Sequence, residues 1–291
     1  MNRHCWMLKH MSRDMHIEMR KNDAGWDTRS SCLILLGAAL ATLLLPLAAW
    51  AQEGDAVPMV TDRPDATESA LTVAPRSFQL ESGYTFGRIE GISIHNAGEV
   101  LLRVGVVDWM EVRLGVNSYQ WARGHGQREQ GMQDSSLGVK LVVVESSGGL
   151  GFGIPQVAVL ASTTLPTGNS LGSQGKLQPE LRLAVAWDLS DRLALGANVA
   201  YAYPNDILVD ERFHQGGATL SLGYSFTERM GAYLEYFGVY PIIKDGPDES
   251  FLNGGVTFLV TGDFQLDARL GYGLNGLDGD LFIGLGSAVR W

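Results

Sequence analysis

The chain has 291 residues, 45% of them hydrophobic and 19% charged, with 36 glycines and a net charge of −10. Helical membrane proteins need several apolar runs of about 20 residues, whereas this sequence has one such run, near its start. The apolar content excludes intrinsic disorder, and the acidic charge disfavours a general nucleic-acid binder. The glycine content, about 12% against a usual ~7%, disfavours a helical protein because helices tolerate glycine poorly.

Residues 1–51 have the pattern of a secretory signal peptide. An apolar stretch covers 32–47 and is followed by an A-x-A sequence that ends at Ala51. It is preceded by three basic residues, Arg20, Lys21 and Arg29. A basic flank, an apolar core and such a cleavage site define these peptides. We predict cleavage after Ala51 and a true start at Met15 or Met19; an uncleaved membrane anchor is the alternative.

Cleavage changes the inventory of the exported chain. Both cysteines, Cys5 and Cys32, precede the cleavage site, so we expect neither a disulfide nor a cysteine metal site. The remaining chain has 16 basic and 28 acidic residues, a net charge of −12.

The segment over 52–76 separates the signal from the first predicted strand. Its central part, 61–69, is polar, charged and contains proline, so it cannot be a membrane strand. We keep two hypotheses: a periplasmic N-terminal strap, or a short plug in the mouth of the barrel that follows. The plug candidates are Asp62, Arg63, Asp65 and Glu68.

From residue 77 onward, apolar residues alternate with polar or small ones. Phe78 and Leu80, for example, alternate with Gln79 and Glu81, which is typical of β-strands with two unlike faces. The pattern predicts twelve strands, over 78–86, 100–106, 110–116, 137–143, 154–164, 181–189, 193–201, 220–226, 230–240, 251–260, 264–272 and 281–291.

The connections between these strands are mostly short and long in turn. The longer ones are 88–98, 122–134, 165–176, 204–214, 241–250 and 273–280. Short periplasmic turns, longer outer loops and an even strand number are typical of outer-membrane barrels. We therefore predict an all-β fold: a closed antiparallel up-and-down transmembrane β-barrel of about 12 strands over 77–291. A soluble periplasmic β-protein is the alternative, because its strands also alternate.

The last residue is aromatic, and apolar residues occupy every second position before Trp291. This ending resembles the C-terminal signal by which outer-membrane barrels are recognised for insertion. We therefore expect the outer membrane of a Gram-negative cell as the location. The expected partners are outer-membrane lipid and the barrel-assembly machinery, with small hydrophobic solutes as cargo and no nucleic acid.

The alternation also predicts which charged side chains face the lumen. They are Glu81, Arg103, Glu111, Arg113, Lys140, Glu180, Arg182, Glu235, Asp267 and Arg269, with Arg290 near the chain end. Two hypotheses remain for this nearly balanced set. The charges form an interior lattice of ion pairs, or they line a path and set its selectivity. Reflection about the turn at Asp108 places Arg103 opposite Arg113, a like-charge pair that needs a carboxylate such as Glu111 nearby.

We expect no enzyme, no cofactor and no metal site. The histidines after the signal are His95, His125 and His214, all in predicted outer loops, and the sequence has no Gly-x-Ser-x-Gly motif. Most aromatic residues fall at strand ends, where interface belts explain them. The aromatic residues expected to face inward are Tyr119, Tyr233 and Phe237.

Several motifs resemble one bacterial family. The residues that carry the resemblance are Thr61–Ser69, Phe78–Tyr84, Asp134–Lys140, Leu165–Gly168 and Gln265–Gly271. They are similar to motifs of the phenol MetA-pathway degradation family of outer-membrane transporters. The resemblance spans roughly residues 60–291 and implies an outer-membrane barrel with a transport role in aromatic catabolism. We therefore predict passive transport of small apolar or aromatic compounds; the alternative is a non-transporting structural or surface-interaction barrel.

Overall fold

The computed structural model describes residues 59–89, 91–124, 126–147, 149–169, 173–206, 210–242, 248–275 and 280–291. The predicted signal peptide lies outside these residues. Within these residues, no helix has the length and apolar character needed to cross a membrane. The regular elements are all β-strands.

The strands of the described chain are β1 (Phe78–Ile89), β2 (Ile92–Ala97), β3 (Val100–Val107), β4 (Met110–Val116), β5 (Tyr119–Gly124), β6 (Gln127–Met132), β7 (Ser135–Val144), β8 (Gln156–Leu165), β9 (Gln178–Asp188), β10 (Leu193–Ala202), β11 (Asn205–Asp206), β12 (Glu211–Arg212), β13 (His214–Ser225), β14 (Met230–Ile242), β15 (Glu249–Thr261), β16 (Phe264–Gly273) and β17 (Leu281–Arg290).

Twelve of these strands close into an antiparallel barrel. They are β1, β3, β4, β7 to β10 and β13 to β17, each paired with its neighbours in chain order. The first and last strands seal the barrel through pairs that run from Gln79↔Arg290 to Arg88↔Leu281. The predicted all-β barrel is confirmed.

The remaining strands lie in the longer connections, where the sequence predicts loops. This part of the prediction is wrong over 88–98 and 122–134, because β2 pairs with the second half of β1, β5 pairs with β2, and β6 pairs with β5. It is also wrong within 204–214, where β11 pairs with β12. We call the second half of β1, together with β2, β5 and β6, the outer extension. Its strands are short and are separated from the barrel strands by breaks such as Gly98, whose φ is +78°, so their alternation is hard to recognise.

The two faces of the barrel wall have opposite chemistry. On β1, Gln79 and Glu81 face the lumen and are almost fully buried, whereas Phe78 is 41% exposed on the outside. Leu285 of β17 is likewise 60% exposed. An apolar outer surface of this kind matches a hydrocarbon environment, so the barrel is built to span a membrane.

The N-terminal segment lies inside the barrel. Near the end that carries the short turns, Gln79 Nε2 donates to Val60 O (3.0 Å) and Thr72 Oγ1 donates to Asp108 O (2.7 Å). Between these points, Ala66 N donates to Glu235, midway along β14 (3.0 Å). The chain therefore enters from the short-turn end, reaches the middle of the barrel and returns. We call residues 59–74 the lumen segment.

Candidate functional site

The lumen segment is tethered to the wall by an ionic cluster around Asp62. Its Oδ2 lies 2.7 Å from Arg113 Nη1, 3.0 Å from Lys140 Nζ and 3.2 Å from Arg103 Nη1. The three cations come from β4, β7 and β3, at inward-facing positions of adjacent strands. A single carboxylate of the segment thus holds three strands of the wall.

The pKa of Asp62 reflects this position. Burial by itself would raise it, but the charges of Arg103, Lys140 and Arg113 outweigh burial and hold the pKa of Asp62 well below its usual range. The carboxyl group is therefore ionised at neutral pH, and the tether is a full ion pair.

Two further carboxylates of the wall balance the cluster. Arg103 and Arg113 lie directly opposite each other on β3 and β4, as expected from the turn between them. Glu111 accepts two bonds from Arg103, at 3.0 and 2.9 Å, and Glu81 accepts a third at 3.1 Å. The like-charged arginines are tolerated because each contacts carboxylates, as buried charges require.

A second tether forms where the segment meets β14. Glu235 accepts bonds from Thr67 N (2.7 Å), Thr67 Oγ1 (2.6 Å) and Ala66 N (3.0 Å). Thr67 Oγ1 also lies 2.8 Å from Thr219 Oγ1 on β13. These contacts satisfy backbone groups of the segment that would otherwise be buried without partners.

A third tether is the guanidinium of Arg63, which lies against a pair of glycines. Arg63 contacts Glu99 at 2.9 Å and Asp267 at 3.5 Å. Gly83 and Gly286 are directly paired across β1 and β17, and a Cβ at either one would overlap the Arg63 side chain. Part of the glycine content therefore makes room for the lumen segment.

We call the end of the barrel that carries the long connections its outer end. A cavity of ≈ 370 Å³ lies between the lumen segment and this end. We call it the vestibule. The segment contributes Asp62, Arg63, Asp65, Ala66 and Glu68 to its lining, and so forms its floor. Asp65 also lies 3.2 Å from Ser221 Oγ of β13. The wall of the vestibule includes polar residues near the outer strand ends, such as Gln133, Gln174 and Gln178.

The structure divides the predicted lumen charges into two groups. Arg113, Glu180, Arg182 and Arg269 line the vestibule. The others contact the lumen segment without lining the vestibule: Glu81, Arg103, Glu111, Lys140, Glu235 and Asp267. Arg290 instead bonds Asp263 at the short-turn end (2.8 Å).

The sequence predicts only part of an apolar cluster at the outer end, which we call the phenylalanine cluster. The rings of Phe237 and Phe251 stack at 5.0 Å, and Phe282 lies 6.1 Å from Phe251. Ile92 and Ile94 of the outer extension pack into the same cluster. Of these three rings the sequence pattern predicted only Phe237 as an inward-facing aromatic, although Phe251 and Phe282 also occupy inward positions of their strands.

Tyr119 is also expected from the sequence to face inward, and this prediction is wrong. It lies beside Trp121 on the outward face, with ring centroids 6.0 Å apart, while Gln120 between them is fully buried. The strand break before β5 shifts the alternation that the sequence pattern assumes. Tyr233 does face inward, where its hydroxyl accepts a bond from Asn253 Nδ2 (3.1 Å).

Comparison with one solved structure supports the fold. The chain is similar to an outer membrane channel from Pseudomonas putida F1, with a TM-score of 0.62 and 14% identity over 80% of this chain and 100% of that chain. It is also similar to the NanC porin, with a TM-score of 0.49 and 11% identity over 73% of this chain and 98% of that chain. No curated protein matches it.

The family comparison covers most of the chain. The family model described as "Putative MetA-pathway of phenol degradation" matches residues 61–291. These residues include the lumen segment from Thr61 onward and all strands of the barrel, so the match is not confined to the membrane wall. The resemblance of the sequence motifs is confirmed, and this protein belongs to that family.

Proposed function

We propose that the barrel lies in the outer membrane and passes small apolar or aromatic compounds by passive diffusion, with the lumen segment as a movable plug. The observation that carries this proposal is the vestibule. Its floor is the lumen segment, which ion pairs and hydrogen bonds hold against the barrel wall. Movement of the segment towards the short-turn end, which faces the periplasm in such barrels, would extend the vestibule into a continuous path.

The size and lining of the vestibule favour a small solute. Its ≈ 370 Å³ lies near the lower end of the range for small-molecule sites, roughly 300–1,000 Å³. Ala66 and Val239 belong to its lining, and Ala66 also belongs to the phenylalanine cluster. Phe237, Phe251 and Phe282 are not among the lining residues, so the vestibule meets the cluster through Ala66. An aromatic cargo would reach these rings, against which it packs favourably, once the lumen segment moves.

The charged residues that line the vestibule support a selective path. Three of the predicted lumen charges there are arginines, Arg113, Arg182 and Arg269, and one is Glu180. The lining as a whole has four basic and six acidic residues: Arg63, Arg113, Arg182 and Arg269, and Asp62, Asp65, Glu68, Glu99, Asp134 and Glu180. Charged groups that line a pore set its selectivity. The remaining predicted charges act as tethers for the lumen segment in this proposal.

One observation favours the alternative, a barrel that transports nothing. Arg103, Lys140, Glu81 and Glu111 are completely buried, so ion pairs and the lumen segment fill this level of the barrel. Buried pairs of this kind are costly to separate. A barrel whose segment never moves would serve as a structural or surface-interaction protein.

Planar-bilayer conductance and uptake of phenol into proteoliposomes separate these functions. We expect small, intermittent conductance for the intact protein and a larger, steady conductance after deletion of residues 59–70. A folded deletion variant with unchanged conductance would refute the plug. Absence of both conductance and phenol uptake in the two proteins would favour the structural alternative.

A further inference from the structure

The outward face of the outer extension carries three rows of paired side chains. Strand register aligns them across β1, β2, β5 and β6. The first row is Tyr84, Ala97, Tyr119 and Met132; the second is Phe86, His95, Trp121 and Gln130; the third is Arg88, Ser93, Arg123 and Arg128. His95 thus lies in a strand, where the sequence predicts a loop.

These rows face away from the lumen. Successive residues of a strand point to opposite faces, and the residues between the second and third rows, such as Ile94 and Ala122, are buried in the phenylalanine cluster. Arg88, Arg123 and Arg128 are exposed. The rows therefore form an outer surface that continues upward from the apolar wall of the barrel.

The second row is a compact aromatic patch. The ring of His95 stacks on Trp121 with centroids 4.8 Å apart and planes within 6° of parallel. Phe86 lies 5.0 Å from the same histidine ring, and Tyr84 Oη lies 2.6 Å from His95 Nδ1. Aromatic patches of this kind mark the boundary between hydrocarbon and headgroups in membrane barrels.

The arginine row lies at the height of lipid headgroups. Phe78, which stacks with Trp291, marks the opposite boundary at the short-turn end. Arg88 follows Phe78 by ten positions on β1. At a rise of about 3.3 Å per residue and a tilt of roughly 40°, this distance spans about 25 Å along the barrel axis, the height of the apolar band.

Three like charges in one row are unfavourable without a counter-charge. Arg123 and Arg128 are directly opposite each other, and Arg88 lies two strands away in the same row. Like charges in such positions destabilise a sheet. The twelve positions of the three rows include no acidic residue, although the chain as a whole carries a net charge of −10.

We infer that this face binds the phosphate groups of an anionic lipid of the outer leaflet, through Arg88, Arg123 and Arg128. The guanidinium group matches phosphate geometry and forms paired charge-assisted hydrogen bonds with it. The aromatic row lies one step closer to the hydrocarbon and contacts the acyl chains of the same lipid. The inference is independent of whether solutes pass through the barrel.

Titration of the detergent-solubilised protein with bisphosphorylated lipid A, followed by native mass spectrometry, tests the inference. The main variant is R88A/R123A/R128A, and fully dephosphorylated lipid A is the second probe. The matched control is R192A/R229A, which removes exposed arginines at the short-turn end. A heat-dependent shift in gel mobility verifies that each variant is folded.

We expect equal binding of bisphosphorylated lipid A by the wild type and R192A/R229A, and at least tenfold weaker binding by R88A/R123A/R128A. Dephosphorylated lipid A should bind all three proteins weakly. Equal binding by R88A/R123A/R128A and wild type, or equal binding of the two lipids, would overturn the inference. Complete displacement of the lipid by inorganic phosphate would also overturn it, since the ligand would then be a free anion. If the alanine variant does not fold, Arg123→Gln, with about threefold weaker binding expected, decides the question.

Discussion

Asp62 Oδ2 lies 2.7 Å from Arg113 Nη1, and this ion pair joins a segment inside the barrel to the barrel wall. The contact connects positions 51 residues apart in the chain. The same carboxylate contacts Lys140 and Arg103, so one side chain of the lumen segment joins it to three strands of the wall.

Replacement of Asp62 by alanine should release the lumen segment. Three buried cations lose their shared partner, and breaking a buried ion pair costs about 3–5 kcal/mol. We expect a lower midpoint in thermal unfolding and a larger mean conductance in planar bilayers.

The control is Asp263→Ala, which removes a more exposed carboxylate paired with Arg290 at the short-turn end. A partly exposed pair contributes less than a buried one, so this variant should lose less stability than Asp62→Ala and keep the conductance of the wild type. If Asp62→Ala and Asp263→Ala behave alike, the Asp62 tether is not what holds the segment.

Replacement of Gly83 by valine should displace the segment by a steric route. The new side chain would occupy the space of the Arg63 guanidinium, which then loses its contacts with Glu99 and Asp267. We expect increased conductance from a barrel that still folds. Gly223→Ala is the control, because a Cβ there meets its nearest neighbour at 4.0 Å. Unchanged conductance in Gly83→Val would show that Arg63 does not secure the segment.

Neutralisation of Arg182 should change ion selectivity. Its guanidinium bonds Glu180 at 2.8 Å, and both residues line the vestibule. Arg182→Gln removes a positive charge and leaves Glu180 without this partner. The reversal potential in a salt gradient should therefore shift in the direction that indicates greater cation selectivity. Arg290→Gln removes a charge outside the vestibule lining and should leave the potential unchanged. Identical potentials for the two variants would exclude Arg182 from the path.

Truncation of Phe251 should reduce phenol uptake. Its ring lies between those of Phe237 and Phe282, and its removal takes away part of the aromatic surface against which phenol would pack. We expect slower uptake of phenol into proteoliposomes with little change for a small sugar. Phe258→Ala, which truncates a half-exposed ring on the outward face of the same strand, is the control. Equal phenol uptake by the two variants would argue against an aromatic path beside the cluster.

Local sequence patterns predicted the barrel well because its pairings are local. Consecutive barrel strands pair antiparallel, so the period of two fixes the buried face and the short turns fix the register, as with Arg103 and Arg113. The outer extension was missed because β2 and β5 follow breaks in the alternation. The same breaks explain why Tyr119 was assigned to the wrong face.

The path of the lumen segment could not be derived from the sequence. Arg63 and Asp267 lie about 200 positions apart but are in contact, and no periodic pattern specifies such a pair. A proline and several charges in 61–69 indicated that the segment is not a strand and left a periplasmic strap and a plug as alternatives. Its place in the lumen depends on complementary charges and on glycines of distant strands.

A reversible disulfide between the lumen segment and the wall tests the central claim most directly. Thr67 Oγ1 and Thr219 Oγ1 are 2.8 Å apart, so cysteines at both positions can approach the Cβ separation of a disulfide, about 3.5–4.5 Å. The double variant T67C/T219C is compared with the single variant T67C in planar bilayers. We predict that oxidised T67C/T219C is silent and that a reductant restores the conductance of the single variant. Equal conductance of the oxidised and reduced forms would contradict a movable plug.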